Sequence, residues 1–252
     1  MSGSLPSALI ASAAMAWVGA ALLSLVVIAY NNLLNRWPPF HGFAYVPLNV
    51  AFAILMTTLA AAGFESSRAD LGLQGDVGDV IVGLVGVGAF GMATFAVASS
   101  RHARRIADRR VLGLEGSALA YQVLVRIPLG TALAEELLFR GALFAMWRGA
   151  GASNLGAALC SAVAFGLWHI SPTILLVRIN DPEAGKHKLR VAVAGAVLFT
   201  SLAALGLTCL RLKTHGLLAP IVLHAGINSA GTLAAVVAGR RAEVISGNDG
   251  ST

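Results

Sequence analysis

The sequence predicts an all-α membrane protein, a polytopic transmembrane helical bundle with about seven spans. Hydrophobic residues make up 57% of the 252-residue chain and charged residues only 12%, whereas soluble domains average about 25% charged residues. Apolar runs near the roughly 20 residues that a spanning helix needs follow one another along the chain. The mean hydropathy of +0.77 points the same way.

Seven apolar segments are expected to cross the membrane. The first ends at Asn31-Asn32, and the third is rich in glycines that suit close helix packing. The fourth contains Pro128, which we expect to bend it, and Ser171-Pro172 is expected to kink the fifth. In chain order the segments cover 5–30, 46–63, 77–100, 119–146, 154–177, 191–210 and 216–238.

These segments predict one integral-membrane domain over residues 1–241, followed by a polar, disordered tail over 242–252. The first apolar run has no basic region before it and is too long for the core of a signal peptide, so we interpret it as a retained span. Cys160 and Cys209 each lie inside an apolar run. They predict neither a disulfide nor a zinc knuckle.

The formal net charge is +6, yet nucleic acid is not an expected partner. The basic residues lie mainly in short loops between apolar segments, where the positive-inside rule places them. The most basic loop is Arg101–Arg110, and assigning it to the cytoplasm puts the N-terminus outside and the C-terminus in the cytoplasm. Membrane lipids with acidic headgroups are then the expected anionic neighbours. The expected location is the plasma membrane of a bacterial cell.

Three short polar rows interrupt the apolar segments and are the candidates for chemistry. Ionisable side chains at membrane depth are costly and usually face the interior of a bundle. A spacing of four residues places Glu136 and Arg140 on one helix face, where an ion pair would offset the cost of burying both charges. Glu135 then points elsewhere. The other two rows run from Phe165 to His169 and from His224 to Asn228.

If these rows converge, they form one polar pocket that can support two chemistries. A carboxylate beside an imidazole can activate water, and a histidine with an asparagine amide can stabilise an oxyanion. Together these groups would hydrolyse an amide without a covalent nucleophile. Alternatively, Glu135, His169 and His224 would hold a divalent metal such as zinc with its activated water. The chain lacks the His-Glu-x-x-His pattern of common zinc peptidases, and both chemistries stay open.

In their order along the chain, the three motifs resemble those of the CPBP intramembrane protease family. This family includes the type II CAAX prenyl endopeptidases and the abortive-infection (Abi) proteins. The matching stretches are Glu135-Glu136-x-x-x-Arg140, Phe165-x-x-x-His169 and His224-x-x-x-Asn228, and they place a catalytic core at about 119–238. Asp70-Leu-Gly-Leu73 also resembles a stretch that precedes the core in bacterial members.

The resemblance implies a helical endopeptidase with its active site inside the membrane. Glu135 with His169 would activate the hydrolytic water. His224 and Asn228 would form the oxyanion site. The supporting residues would be the remaining motif positions, Glu136, Arg140 and Phe165. Family members have been described both as metalloproteases and as metal-independent glutamate proteases, so the resemblance does not decide the catalytic type.

The expected substrate is a membrane-associated protein or peptide, with CAAX-protein processing as one option. A second hypothesis is a non-catalytic membrane scaffold, or a bacteriocin-immunity or regulatory protein, of the same fold. A third is a small transporter that uses the glutamate pair for proton coupling. The third ranks last because the polar motifs show no inverted repeat.

Overall fold

A computed structural model describes the chain over residues 7–100 and 108–248, with side chains over 12–100 and 108–241. Within these ranges all the regular secondary structure is helical, and seven helices are long and apolar enough to cross a membrane. The predicted all-α bundle of about seven spans is confirmed. Residues 101–107 of the predicted basic loop lie outside the described ranges.

The spans keep the predicted order and mostly run longer than predicted. A short 3₁₀ turn over Pro38–His41 precedes the second span, and the fifth span consists of two helices that meet at a break. The helices are α1 (Ser7–Leu34), α2 (Tyr45–Gly63), α3 (Val77–Ala98), α4 (Gly116–Gly149), α5 (Asn154–Trp168), α6 (Ile170–Asn180), α7 (Lys186–Thr214) and α8 (Leu218–Asn248).

The last helix corrects the predicted tail. Residues 242–248, which we expected to be disordered, continue α8 as far as Asn248. The sequence after Arg241 contains neither proline nor glycine until Gly247, so the backbone ladder is not interrupted where the apolar segment ends. Residues 249–252 lie outside the described range.

The core of the bundle lies between α4 and α5, with α1 and α2 packed against them. Its fully buried side chains from α4 include Leu138, Phe139, Leu143 and Met146. The outer faces of the other helices expose large apolar side chains, among them Leu22, Leu25, Ile54, Val85, Phe95 and Phe199. Such a surface suits contact with lipid rather than water, and the chain is an integral, multi-pass membrane protein.

α4 departs from regular α-helix around Pro128, where we expected a bend, by local widening of its turns. Its turns are π-helical on both sides of the glutamate pair, over Gln122–Leu133 and Leu137–Leu143. Pro128 lies in the first of these stretches; it has no N–H to donate, and its ring would clash with the preceding turn of a regular α-helix. Wider turns accommodate such a misfit. From α2, Asn49 Nδ2 donates to the Gly130 carbonyl at 3.0 Å, which satisfies one acceptor of the widened stretch.

The fifth span breaks at His169, just before the expected kink at Ser171-Pro172. His169 has non-helical backbone angles, with φ −88° and ψ 4°. The proline is tolerated because it falls in the first turn of α6, where backbone N–H groups have no acceptor within the helix. The break therefore lies at a predicted catalytic residue.

Two asparagines at the end of α1 satisfy the backbone groups that this break releases. Asn31 Nδ2 donates to the Trp168 carbonyl at 2.8 Å, and Asn32 Nδ2 donates to the Leu167 carbonyl at 2.9 Å. On the other side of the break, Asn32 Oδ1 accepts from the Ser171 N–H at 2.8 Å. These bonds fix α1 against the break and therefore fix the position of the residue within it.

Glycines let α3 approach α8 closely. A Cβ added at Gly83 would meet the Val222 side chain at 2.8 Å, and one added at Gly86 would meet Leu223 at 2.7 Å. The expected role of these glycines in helix packing is confirmed at the two positions. Gly88 and Gly91, further along α3, face open space.

The Asp70-Leu-Gly-Leu73 segment joins α2 to α3 and packs against the start of α8. Gly72 adopts a positive φ of 67°, which favours glycine, and its carbonyl accepts from the Leu217 N–H at 3.0 Å. The hydroxyl and N–H of Ser67 donate to the Asp70 carboxylate and hold the pKa of that carboxyl below its ordinary value. This local stabilisation is complete at neutral pH and is lost as the pH falls through the lowered pKa.

Replacing Asn32 by Ala is expected to lower the free energy of unfolding by about 1–3 kcal/mol, because the Leu167 carbonyl and the Ser171 N–H lose their partner inside the bundle. Thermal or denaturant unfolding in detergent measures the change. Thr58→Ala is the matched control, since it also removes a side-chain hydrogen bond from a spanning helix, but on an exposed face. Equal and small losses for the two variants would contradict the role given to Asn32.

Candidate active site

The glutamate pair lies near the middle of α4, in the interior of the bundle. Glu135 is 5% exposed and Glu136 is fully buried. Arg140 Nη1 donates to Glu136 Oε1 at 3.1 Å from one turn further along α4. The predicted ion pair between Glu136 and Arg140 is therefore confirmed, with neither side chain exposed.

A histidine from α8 completes this charged group. His224 Nδ1 lies 2.7 Å from Glu136 Oε1, and because a carboxylate can only accept, the proton between them belongs to Nδ1. Glu136 thus receives hydrogen bonds from two helices at one oxygen. Charge-assisted bonds of this kind repay part of the cost of burying the carboxylate.

Phe165 connects the charged group with the imidazoles. The Arg140 guanidinium carbon lies 4.4 Å from the centroid of the Phe165 ring, a cation–π geometry. The same ring centroid is 4.6 Å from that of His169 and 6.2 Å from that of His224. The predicted supporting residue therefore contacts the side chains that it is expected to position.

Glu135 points away from the ion pair, as the helical spacing predicts. Trp168 Nε1, from the end of α5, donates to Glu135 Oε1 at 3.1 Å. Glu135 Oε2 has no hydrogen-bond partner among the described residues. The imidazole nitrogen His224 Nε2 lies 3.8 Å from it, which is too far for a hydrogen bond. One carboxylate oxygen is thus held in place by the protein, and the other is left for a water.

His169 has its ring orientation and tautomer fixed by the helix before the break. Its Nδ1 lies 2.7 Å from the Phe165 carbonyl oxygen, which can only accept, so Nδ1 carries the proton in the neutral ring. The lone pair of the neutral imidazole is therefore on Nε2. This is the atom that can accept a proton from water.

A cavity of about 1190 Å³ reaches the centre of the bundle, and Glu135, His169 and Asn228 line it. Its lining includes residues from the turn before α2 and from the segment before α4, among them His41, Asp108 and Arg110. The cavity therefore extends to the end of the bundle where α1 is joined to α2 and where α4 begins. Its apolar lining includes Phe43, Phe90, Leu175 and Ile179.

The structure places the two predicted oxyanion residues differently. Asn228 lines the cavity, whereas His224 is not among the lining residues and uses Nδ1 to donate to Glu136. His224 can donate from Nε2 as well only when its ring carries both protons. The three polar rows do converge, but only one member of the His224–Asn228 row lies on the wall of the cavity.

The metal hypothesis can be compared with the positions of its three proposed ligands. Across residues 12–100 and 108–241, no three side chains of His, Cys, Asp or Glu form a group suited to a metal ion. His224 directs one ring nitrogen at Glu136, and its other nitrogen faces Glu135 at 3.8 Å. As they lie here, Glu135, His169 and His224 do not fit a zinc centre with three protein ligands, and no step proposed below passes through a metal.

Several residues in contact with the site were not assigned a role from the sequence. Trp168 orients Glu135 and stands inside the quoted Phe165–His169 motif, directly before the histidine. The Asn31-Asn32 pair interrupts an apolar run, a signal that was interpreted only as the end of the span. Arg126, a charged residue within a spanning segment, lines the cavity.

Arg140→Ala is expected to lower the free energy of unfolding by about 3–5 kcal/mol, because it leaves the Glu136 charge buried without its cation. Unfolding of the detergent-solubilised chain, followed by tryptophan fluorescence, measures this loss. The double variant Glu136→Gln/Arg140→Met removes both charges together and should recover most of the lost stability. A double variant as unstable as the sum of the two single variants would show that the ion pair does not couple these residues.

Comparison with known proteins supports the resemblance carried by the motifs. Residues 117–230 match the family model described as Type II CAAX prenyl endopeptidase Rce1-like. Neither the curated proteins nor the solved structures gave a match to the chain. The matched range contains all three motifs, from Glu135 to Asn228, and covers most of α4, all of α5 to α7 and the first part of α8. The match covers slightly less than half of the chain and supports a relationship of this region to the CPBP family of membrane proteases.

Proposed function

We propose that the chain is an intramembrane endopeptidase that hydrolyses a peptide bond of a membrane-associated protein or peptide. The observation that carries this proposal is one cavity at membrane depth lined by Glu135, His169 and Asn228. Glu135 and His169 each keep one proton-accepting atom that makes no hydrogen bond to the described side chains. The match to a protease family over 117–230 supports the same activity.

Water activation uses the two residues that the protein orients through their other polar atoms. Trp168 holds Glu135 Oε1, and the Phe165 carbonyl holds His169 Nδ1. A water between Glu135 Oε2 and His169 Nε2 loses a proton to the carboxylate as its oxygen bonds to the carbonyl carbon of the substrate. When the carbon–nitrogen bond breaks, that proton passes to the departing amine.

The negative charge that develops on the carbonyl oxygen needs donors that are already in position. The Asn228 side-chain amide is on the cavity wall and can donate without being deprotonated. His224 Nε2 adds a second donor only when the imidazole carries both protons, because its Nδ1 already donates to Glu136. Asn228 is therefore the principal oxyanion donor in this proposal, and His224 is the additional one.

Glu136 and Arg140 have a positioning role, because they are not among the residues that line the cavity. Their ion pair, together with the bond from His224, holds α4 against α8. Both hydrogen bonds to Glu136 are made at its Oε1, and Glu135 is the carboxylate that remains for the reaction.

In this proposal the substrate reaches the site from the end of the bundle where α4 begins. Arg110 and Asp108, which precede α4, line the cavity at that end. The positive-inside rule assigns this end to the cytoplasm, with the chain in a bacterial plasma membrane. The apolar side chains that line the cavity favour an apolar peptide segment as the substrate.

Glu135→Gln and His169→Ala are each expected to lower kcat/KM for a cleaved peptide by about 10²–10⁴-fold, because the first removes the proton acceptor and the second removes the imidazole that orients the attacking water. Cleavage of a broad membrane-peptide library by the purified chain in detergent, followed by mass spectrometry, supplies the substrate and the rates. Glu115→Gln and His187→Ala are matched controls for the same changes at exposed positions, and they should keep wild-type rates.

A chelator separates the two catalytic types in the same experiment. Cleavage by the wild-type chain should persist in the chelator, since the proposed steps use only the side chains of this chain. Activity that is lost with the chelator and restored by a divalent metal would reassign Glu135 and His169 as metal ligands. Wild-type rates in both site variants would overturn the proposal.

A further inference from the structure

One arginine in the cavity has no acidic partner among the residues that the structure describes. Arg126 lies on α4, nine residues before Glu135, and both residues line the cavity. The Arg126 guanidinium carbon lies 4.0 Å from the centroid of the Tyr45 ring. Its Nη1 donates to Gln122 Oε1 at 3.3 Å, and its Nε is buried without a hydrogen-bond partner in the described part of the chain.

Two other arginines, one beside the site and one in the same cavity, are each paired with a carboxylate. Arg140 pairs with Glu136 in the core, and Arg110 pairs with Asp108 at 2.7 Å in the cavity lining. Arg126 instead contacts a neutral amide and the face of an aromatic ring. A cation at membrane depth is costly unless an anion or water compensates it, and the ring compensates only in part. The open space beside Arg126 is the cavity that we assign to the substrate.

We infer that Arg126 is a specificity-determining residue that binds a carboxylate of the peptide in the cavity. The inference rests on the proposed function, because it assigns the peptide to this cavity. A guanidinium presents its N–H groups as a planar fork that matches a carboxylate. The ring of Tyr45 holds the plane of that fork, so less conformational freedom is lost when the anion binds.

The position of Arg126 also sets where this carboxylate lies in the peptide. Arg126 precedes Glu135 by nine residues, a separation of at most about 13 Å along a helix that rises 1.5 Å per residue. Extended peptide covers about 3.3–3.6 Å per residue. The carboxylate therefore lies within about four residues of the bond that is cleaved. Both a free C-terminus and an Asp or Glu side chain have this chemistry.

Binding is best measured with the Glu135→Gln chain, which is expected to keep the cavity and to cleave at least about 100-fold more slowly than the wild-type chain. The probe is a fluorescent, apolar octapeptide of Ala, Leu and Val, made in two pairs of versions. The first pair has either a free or an amidated C-terminus. The second pair is amidated and carries either Glu or Gln four residues from its end. Fluorescence anisotropy in detergent gives each Kd. At least one carboxylate version should bind about tenfold or more tightly than its neutral counterpart, and which one shows this preference tells a terminal from a side-chain carboxylate.

Second substitutions in the same Glu135→Gln chain test whether Arg126 causes the preference. Arg126→Gln should abolish it, and Arg126→Lys should retain part of it. Arg110→Gln is the matched control, since it removes a paired arginine from the same cavity and should leave the preference intact. Equal affinity for charged and neutral versions, or no binding of any version, overturns the inference. An equal loss with Arg110→Gln also overturns it, because a general positive potential would then explain the preference.

The inference and the proposed function can fail separately. If the wild-type chain cleaves peptides without any preference for a carboxylate, the peptidase proposal stands and the role of Arg126 falls. If binding is selective for a carboxylate and requires Arg126, but the wild-type chain cleaves none of the selected peptides, the peptidase proposal falls and the anion site stands.

Discussion

The centre of this bundle depends on keeping two adjacent carboxylates at membrane depth. Glu136 has its charge compensated by Arg140 within α4 and by His224 from α8. Removing ions from water costs several kcal/mol each, and only close, hydrogen-bonded pairing repays that cost. Once Glu136 is held in this way, Glu135 is the carboxylate without a cation in hydrogen-bond contact. The proposed difference in role between the two glutamates therefore follows from where the side chains of Arg140 and His224 lie.

The second constraint is that backbone groups inside a membrane must find partners within the protein. Two of the departures from regular α-helix near the site, around Pro128 and at His169, release such groups. Asn49 from α2 provides a hydrogen-bond partner for the first, and the Asn31-Asn32 pair from α1 provides partners for the second. Two helices outside the matched family region, α1 and α2, thus help to hold the region that carries the motifs. These hydrogen bonds explain why α1 and α2, which are otherwise mostly apolar, carry polar side chains.

Much of the fold was predictable because its signals are local. Length and apolarity identify a span without knowledge of its neighbours, and a four-residue spacing is enough to predict the Glu136–Arg140 pair. The sequence predicted the break at Ser171-Pro172 rather than at His169, because a proline is the local signal of a helix break. The hydrogen bonds that stabilise the break come from α1, at separations of 137 and 135 residues along the chain. The extension of α8 to Asn248 was missed because polarity was interpreted as disorder, although the residues are compatible with a helix.

The site was predictable as a set of residues but less so as an arrangement. The motifs gave its members, whereas only the three-dimensional structure shows that Trp168 holds Glu135 and that Asn228, not His224, lies on the cavity wall. Both facts depend on how separate helices rotate against each other. No spacing within one helix determines that rotation.

The central claim is that water attacks the peptide bond directly, activated beside Glu135. The most direct test is cleavage in ¹⁸O-labelled water, with mass spectrometry of the products and of the acid-quenched intact chain during turnover. Direct attack predicts one ¹⁸O atom in each new carboxylate and no covalent peptide on the wild-type chain. A peptide adduct that accumulates during turnover, or cleavage that continues unchanged in Glu135→Gln, would contradict the account.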